Sequence, residues 1–247
     1  IGRFHKGAFF MAEELNLPIQ PVYIHGNNDL LPKGDFIIYK ANCHVYVGDP
    51  IAVDDVSFGT SYADRTKKIS SFFKQEFNKI RLNAEDANYF KQKLFLNFLY
   101  KEQGILKAVK RDFSQNKSIY HQLFYLISDK ASIAHITTDF GQLDFLLVNQ
   151  FPSRKVHTYN LNEEHRSIAK ASYINQKFRI KYADDLSEIW QTSNVLILSH
   201  LQQFNNEIPQ NINQIILVCC KFKPNFSGFM QTHDELKIQV FQRNETN

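Results

Sequence analysis

From Asp129 onward the chain alternates strand-like and helix-like runs at a nearly constant spacing, and this alternation narrows its second half to one class of architecture. Ile133-Ala-His-Ile136 reads as a strand, Leu143 to Gln150 as a helix, Lys155-Val-His-Thr-Tyr159 as a strand and Glu163 to Ser172 as a helix. Phe178-Arg-Ile-Lys-Tyr182, Val195-Leu-Ile-Leu198 and Ile215-Ile-Leu-Val218 continue the strands. Parallel neighbours cannot be joined by a hairpin and need a crossover of a dozen or more residues, which a helix supplies. The rhythm therefore predicts a parallel, doubly wound α/β sheet.

The residues before it follow another pattern. Residues 7 to 16 place Ala8, Met11, Ala12 and Leu15 on one helical face, and Pro18 ends that helix and opens an extended run. Val22-Tyr-Ile-His25 stops at Gly26-Asn-Asn-Asp29, where His25 reads as a structural histidine. Phe36-Ile-Ile-Tyr39 and His44-Val-Tyr-Val47 are expected to form a strand pair. Ser61 followed by Asp64 is a capping signal, and Ile69, Phe72, Phe73, Phe77 and Ile80 recur at helical spacing behind it. From Ala84 to about Ser128 there is no proline and one glycine, and aromatic stripes alternate with Lys and Glu, as in helices packed between domains. The expected division is 1–82, a helical connector over 83–128, and 129–247.

Composition excludes several classes. With 43% hydrophobic residues, 14% aromatic residues and 22 Phe in 247 positions, the chain can build a core and is no disordered tail. A net charge of +4 suits an anionic lipid surface and falls short of a nucleic-acid footprint. Cys43, Cys219 and Cys220 have no Cys-x-x-Cys spacing, so reduced thiols, a cytoplasmic setting and no zinc are expected. His121, His157, His165, His200 and His233 show no ligand spacing with carboxylates, so no metal is assigned. The longest apolar runs fall far short of the ~20 residues of a spanning helix, which leaves peripheral contact or a tether at the inner membrane.

Phe4-His5-Lys6-Gly7-Ala8 followed by Pro18-Ile19-Gln20-Pro21-Val22 resembles the lysophospholipid and glycerol-phosphate acyltransferases. In that family a Phe-x-Lys-Gly-Ala helix and a Pro-Ile-x-Pro-Val strand follow an Asn-His-x-x-x-x-Asp motif and a Glu-Gly-Thr-Arg motif. The resemblance implies a partial acyltransferase α/β unit, with the upstream His as the base for acyl transfer from acyl carrier protein or coenzyme A to a lysophospholipid hydroxyl. A chain beginning at Ile1 without Met is then expected to continue a longer protein. Arg3 and Lys6 become candidates for the acceptor phosphate, because the amides and dipole of a helix start favour an anion. The plainer alternative is a solvated Lys6. His44-Val-Tyr-Val-Gly-Asp49 has the family's His-to-Asp gap but lies after the strand instead of before it, so it is not taken as the base. No catalytic residue is assigned within the chain.

The second half resembles class I methyltransferases that use S-adenosylmethionine, a Rossmann-like fold. The order of parts is similar to a bacterial trifunctional protein with an MMPL-type lipid exporter, an acyltransferase and a methyltransferase; Asn97-Phe-Leu-Tyr-Lys101 resembles its connector. The resemblance implies a glycine-rich cofactor turn after the first strand and an acidic residue ending the second. Here His135-Ile-Thr-Thr-Asp-Phe-Gly141 keeps only Gly141, and Asn160 stands in the acidic position. Ser199-His200 replaces Ser-Asp, while Asp184 matches the acid near the adenine. Gly141, Asn160 and Asp184 are thus the cofactor-binding candidates of a degenerate site.

Three functions follow as expectations. The leading one is the C-terminal part of a lipid acyltransferase carrying an inactive methyltransferase-like domain. The second is a working methyltransferase acting on a lipid or small molecule. The third is a non-catalytic docking module held to an anionic membrane by its basic surface.

Overall fold

The computed structural model describes residues 5–31, 38, 40–171, 179–222, 224–235 and 237–244, with backbone only at Lys6. The chain divides into two units, Ile1–Glu85 and Asp86–Asn247.

In the first unit, helix α1 (Lys6–Glu14) leads to strand β1 (Val22–His25), a short turn of helix α2 (Asn27–Leu30), strand β2 (His44–Val47) and the long helix α3 (Tyr62–Ala84). β1 and β2 pair antiparallel, with Val22 opposite Val47 and His25 opposite His44. His44–Val47 thus pairs with Val22–His25, and the expected partner run Phe36–Tyr39 lies, but for Ile38, outside the described residues.

The buried face of α1 also differs from expectation. Met11 and Leu15 are each 60% exposed, whereas Phe9 is buried and packs with Ile51 and with Ile69 of α3. One phenyl ring buries more apolar surface than scattered Ala and Met, so it sets the face. α3 starts where its capping signal predicts: the Ser61 hydroxyl accepts from the Asp64 amide at 3.2 Å. Just beyond its end, Arg81 forks onto both oxygens of Glu85 at 2.8 Å, and buried His25 sets its Nε2 3.2 Å from Glu85 Oε1. His25 is a paired histidine of the fold.

The second unit opens with α4 (Lys91–Asn97) and α5 (Gln103–Leu126). Val109, Phe113, Asn116, Tyr120, Leu123 and Phe124 form the buried stripe of α5 at helical spacing. There follow β3 (Ser132–Thr137), α6 (Gln142–Gln150), β4 (Lys155–Asn160), α7 (Glu163–Lys170), β5 (Ile180–Tyr182), β6 (Val195–Ser199), β7 (Gln214–Val218), β8 (Phe229–Glu235) and β9 (Ile238–Arg243). α6 is buried around most of its circumference, from Gln142 to Val148, and packs on α4 and α5. The helices of the expected connector therefore pack within the second unit.

The strands form one seven-stranded sheet in the order β5-β4-β3-β6-β7-β9-β8. The first five are mutually parallel, while β9 runs antiparallel to β7 and β8 antiparallel to β9. The expectation of an all-parallel sheet is corrected by this terminal hairpin. Its strand β8 carries Gln231-Thr-His-Asp-Glu235, a polar run with no strand-like apolar signature. The strand order reverses between β3 and β6, the switch point whose carboxyl ends form a crevice in doubly wound sheets.

Alternation along the strands sorts the two faces. Ala134, Ile136, Leu196, Leu198, Ile215 and Leu217 enter one apolar cluster. His135 and Thr137 of β3, Thr158 and Asn160 of β4 and Ser199 of β6 alternate with these and collect on the other face, all buried. That polar row runs towards the carboxyl edge, and α6 covers it.

Candidate functional site

Within the polar row, His135 Nδ1 donates to Asp144 Oδ1 at 2.5 Å and Nε2 lies 2.8 Å from Ser199 Oγ. The Ser199 hydroxyl donates onward to Thr137 Oγ1 at 2.8 Å, and Thr158 donates to Asp144 Oδ1 at 2.7 Å. Burial opposes a charged His135, yet the neighbouring Asp144 and Asp139 carboxylates hold its pKa above the usual histidine value. Asp–His–Ser in this order is the arrangement of a nucleophile relay. Here it cannot attack anything, because Ser199 is fully buried and its proton is engaged by Thr137. The ladder ties β3, β4, β6 and α6 together.

The turn after β3 sits above that ladder. The amide of Asp139 donates to Thr137 Oγ1 at 3.1 Å, that of Phe140 to Gln142 Oε1 at 2.8 Å, and that of Gly141 to Asp139 Oδ1 at 2.7 Å. Three successive backbone donors, the groups with which such a turn would hold a ligand, are thus engaged by side chains of the turn and of α6. Gly141 has φ +85°, and a Cβ there would stand 2.7 Å from the Tyr182 hydroxyl and 2.9 Å from Ala169 Cβ. Only glycine satisfies both the left-handed backbone and the close approach.

Asn160, at the end of β4, is buried; its amide donates to the Asp139 carbonyl at 2.6 Å and its oxygen accepts from the Asn162 amide at 2.9 Å. His165 Nδ1 donates to the Thr138 carbonyl at 2.6 Å, and its ring lies 4.0 Å from that of Phe140. Asp184 is largely exposed and pairs with Lys170 at 2.8 Å, with Arg166 at 3.6 Å; these contacts hold its carboxyl below the usual range. Gly141 and Asn160 therefore meet at one turn, and Asp184 is engaged by α7. Arg3 lies outside the described residues, and Lys6 is the first residue of α1.

Next to the turn is a cluster that the linear sequence does not disclose. Asp112 of α5 accepts from the Tyr120 hydroxyl at 2.6 Å, Asn116 at 2.8 Å and Gln142 at 3.1 Å, and His200 Nε2 lies 3.6 Å away. Since Tyr120 gives its proton to Asp112, His200 Nε2 donates to the phenol oxygen at 3.1 Å. Burial first, then Asp112, push the Tyr120 pKa well above its usual value, so the phenol stays protonated.

His200 and Cys219, just past the ends of β6 and β7, both have left-handed backbones, φ +57° and +55°. Such positions cost about 1–3 kcal/mol and gather at functional sites. Burial, reinforced by Asp112 and opposed by Lys237, pushes the Cys219 thiol up to about 11, which leaves it unreactive as a nucleophile near neutrality. The cluster links Asp112, Tyr120 and His200 in one run of polar contacts. Its one sequence signal is the histidine following Ser199; the α5 residues look like an ordinary amphipathic stripe.

No protein-family model matches the chain, and no curated protein does. Among solved structures, M. capricolum TrmK in complex with S-adenosyl-homocysteine is 14% identical, covering 51% of this chain and 68% of that one at a TM-score of 0.38. The pyocyanin biosynthetic protein PhzM is 13% identical over 61% of this chain and 62% of its own, with TM-score 0.38. The ribosomal protein L11 methylase of Lactobacillus delbrueckii is 11% identical over 52% and 80%, with TM-score 0.35. The fold itself is carried by the strand order: counted within the second unit, β5-β4-β3-β6-β7-β9-β8 reads 3-2-1-4-5-7-6, a Rossmann-like sheet with an antiparallel last hairpin. The second unit is an α/β domain built on a Rossmann-like mixed sheet.

Proposed function

We propose that the second unit is a methyltransferase-fold module that no longer takes S-adenosylmethionine and serves as a non-catalytic binding or docking domain. What carries this reading is the turn after β3. The amides of Asp139, Phe140 and Gly141 are engaged by side chains, and both polar atoms of Asn160 are engaged by backbone. A sulfonium nucleoside needs such donors free, together with an acceptor for its ribose hydroxyls at the end of β4. To bind, it would have to break these bonds, each worth about 0.5–1.5 kcal/mol, before gaining any of its own. The residues present do not fit the cofactor, and no reaction step is routed through it.

Calorimetry of the whole chain with S-adenosylmethionine and S-adenosyl-homocysteine tests the proposal. No heat at millimolar ligand is expected. Micromolar binding would overturn it in favour of a working methyltransferase.

For the first unit, acyl transfer from an acyl thioester to a lysophospholipid stays a proposal about a longer protein. Its support is the sequence resemblance and the position of Lys6 at the start of α1. Arg3→Ala and Lys6→Ala should weaken lysophospholipid binding, and unchanged binding in both would remove these residues from the acceptor site. Among the described residues no helix is long and apolar enough to cross a membrane, so membrane contact is proposed as peripheral. Its measure is salt-sensitive association with anionic vesicles.

A further inference from the structure

An open groove of about 460 Å³ runs between α4 with its approach segment and α5. Tyr89, Phe95, Leu96, Leu99 and Leu106 provide its walls, and no residue of the turn from Thr137 to Gly141 lines it. Leu99 is 49% exposed, so an apolar surface is presented to water at the mouth. Two cations flank it: exposed Lys91 at the start of α4 and Lys110 on α5, whose ammonium lies 5.5 Å from the centre of the Phe95 ring. Among the described residues no carboxylate pairs with either lysine. The volume falls in the range of about 300–1,000 Å³ typical of small-molecule sites.

Apolar walls with unneutralised positive charge beside them select a ligand that is apolar along its length and anionic at one end. A neutral chain would leave the lysines without a counterion, and a small inorganic anion would leave the walls wet. We propose that this groove binds a single-chain aliphatic carboxylate, with the chain against Phe95, Leu96, Leu99 and Leu106 and the head at Lys91 and Lys110. The site is independent of the methyltransferase-fold reading.

Octanoate is the probe, with octanol as its uncharged counterpart, inorganic phosphate as a head without a chain, and anionic phospholipid vesicles as a bilayer. Binding to the whole chain is followed by calorimetry and by amide chemical shifts. Octanoate should bind saturably and shift amides within residues 89–110, and octanol should bind at least about fivefold more weakly. Leu99→Asp, at an exposed position, should abolish the response. Lys110→Ala should weaken it about threefold and Lys110→Arg should restore it, with circular dichroism unchanged throughout.

Equal affinity for octanol and octanoate would overturn the proposal, as would displacement of octanoate by phosphate alone. So would association with vesicles but not with monomeric octanoate, the behaviour of a membrane-facing surface. Absence of any saturable shift within residues 89–110 would likewise end it.

Discussion

His135 and Asp144 meet through Nδ1 and Oδ1 at 2.5 Å with neither side chain reached by solvent, and this pair joins the first parallel strand to the helix that follows it. Asp144 also accepts from Thr158, so one carboxylate serves two strands and a helix. Removing one partner of a buried pair leaves the other charged and unmatched, at about 3–5 kcal/mol. Asp144→Ala is expected to lower the stability of the second unit by that amount. Trp190, the chain's one tryptophan, packs against the apolar cluster of that unit, so its fluorescence in urea reads the loss directly. A loss below about 1 kcal/mol would mean that the ladder is not what holds α6 to the sheet.

The same ladder sets a pH dependence. The pKa of His135 is raised, burial being outweighed by Asp144 and Asp139, and the pKa of Asp139 is raised by its own burial. In both cases the folded unit holds protons more tightly than the unfolded chain, so stability falls as pH rises. The His135 contribution is fully present below its unfolded value near 6.5 and is lost as pH climbs through the higher folded value. That of Asp139 acts in the same direction from its unfolded value of 3.8 upward. Urea midpoints by Trp190 fluorescence should therefore fall as pH rises above about 6.5, and His135→Gln should flatten the slope. A midpoint that rises over this interval contradicts the assignment.

Gly141 is the hinge point of the turn, and its replacement tests how tightly the turn is closed. Alanine there must adopt φ +85° and also push its methyl group into Tyr182 and Ala169. Left-handed backbone costs about 1–2 kcal/mol and overpacking about 1–3 kcal/mol, so Gly141→Ala should lose about 2 kcal/mol or more. Chemical denaturation followed at Trp190 measures it. A neutral substitution would show that α7 and β5 can withdraw from the turn and that the cradle is looser than its hydrogen bonds indicate.

Elements with continuous apolar runs or strong helical stripes are legible in the sequence alone. β3, β6 and β7 announce themselves through Ile133–Ile136, Val195–Leu198 and Ile215–Val218, since strands buried on both faces need no alternation. β8 could not be found this way, because its largely exposed Gln231-Thr-His-Asp-Glu235 belongs to an edge strand whose partner among the described residues is β9. The turn at Gly141 and the end of β4 at Asn160 are legible through the resemblance to class I methyltransferases. The Asp112, Tyr120 and His200 cluster does not, because its members come from α5 and from beyond β6 and meet only when the sheet forms. The buried pair does leave a signal in the sequence: His135 and Asp144 each interrupt an apolar run, and two such interruptions facing one another are what a buried pair requires.

Arg154 is fully buried, and its guanidinium closes the C-terminal end of α5. Nε donates to the Ser128 carbonyl at 3.1 Å, while Nη2 donates to those of Leu123 at 3.1 Å and Ile127 at 2.6 Å. Nη1 donates to Gln150 Oε1 at 2.7 Å, and the guanidinium lies 4.7 Å from the centre of the Phe151 ring. The last carbonyls of a helix lack partners of their own and carry the negative end of its dipole, so a cation with a planar fork fits this place better than any other side chain. Lysine brings the charge without the fork and cannot reach carbonyls in three directions. Arg154→Lys should therefore cost about 2 kcal/mol, and Arg154→Met, which removes every guanidinium donor, should cost more. Hydrogen exchange separates this from a general loss of core packing: amides in the last turn of α5 should exchange faster while those of β3 and β6 keep their protection. Arg154→Met within about 0.5 kcal/mol of the parent chain would show that water caps the helix end as well as the guanidinium does.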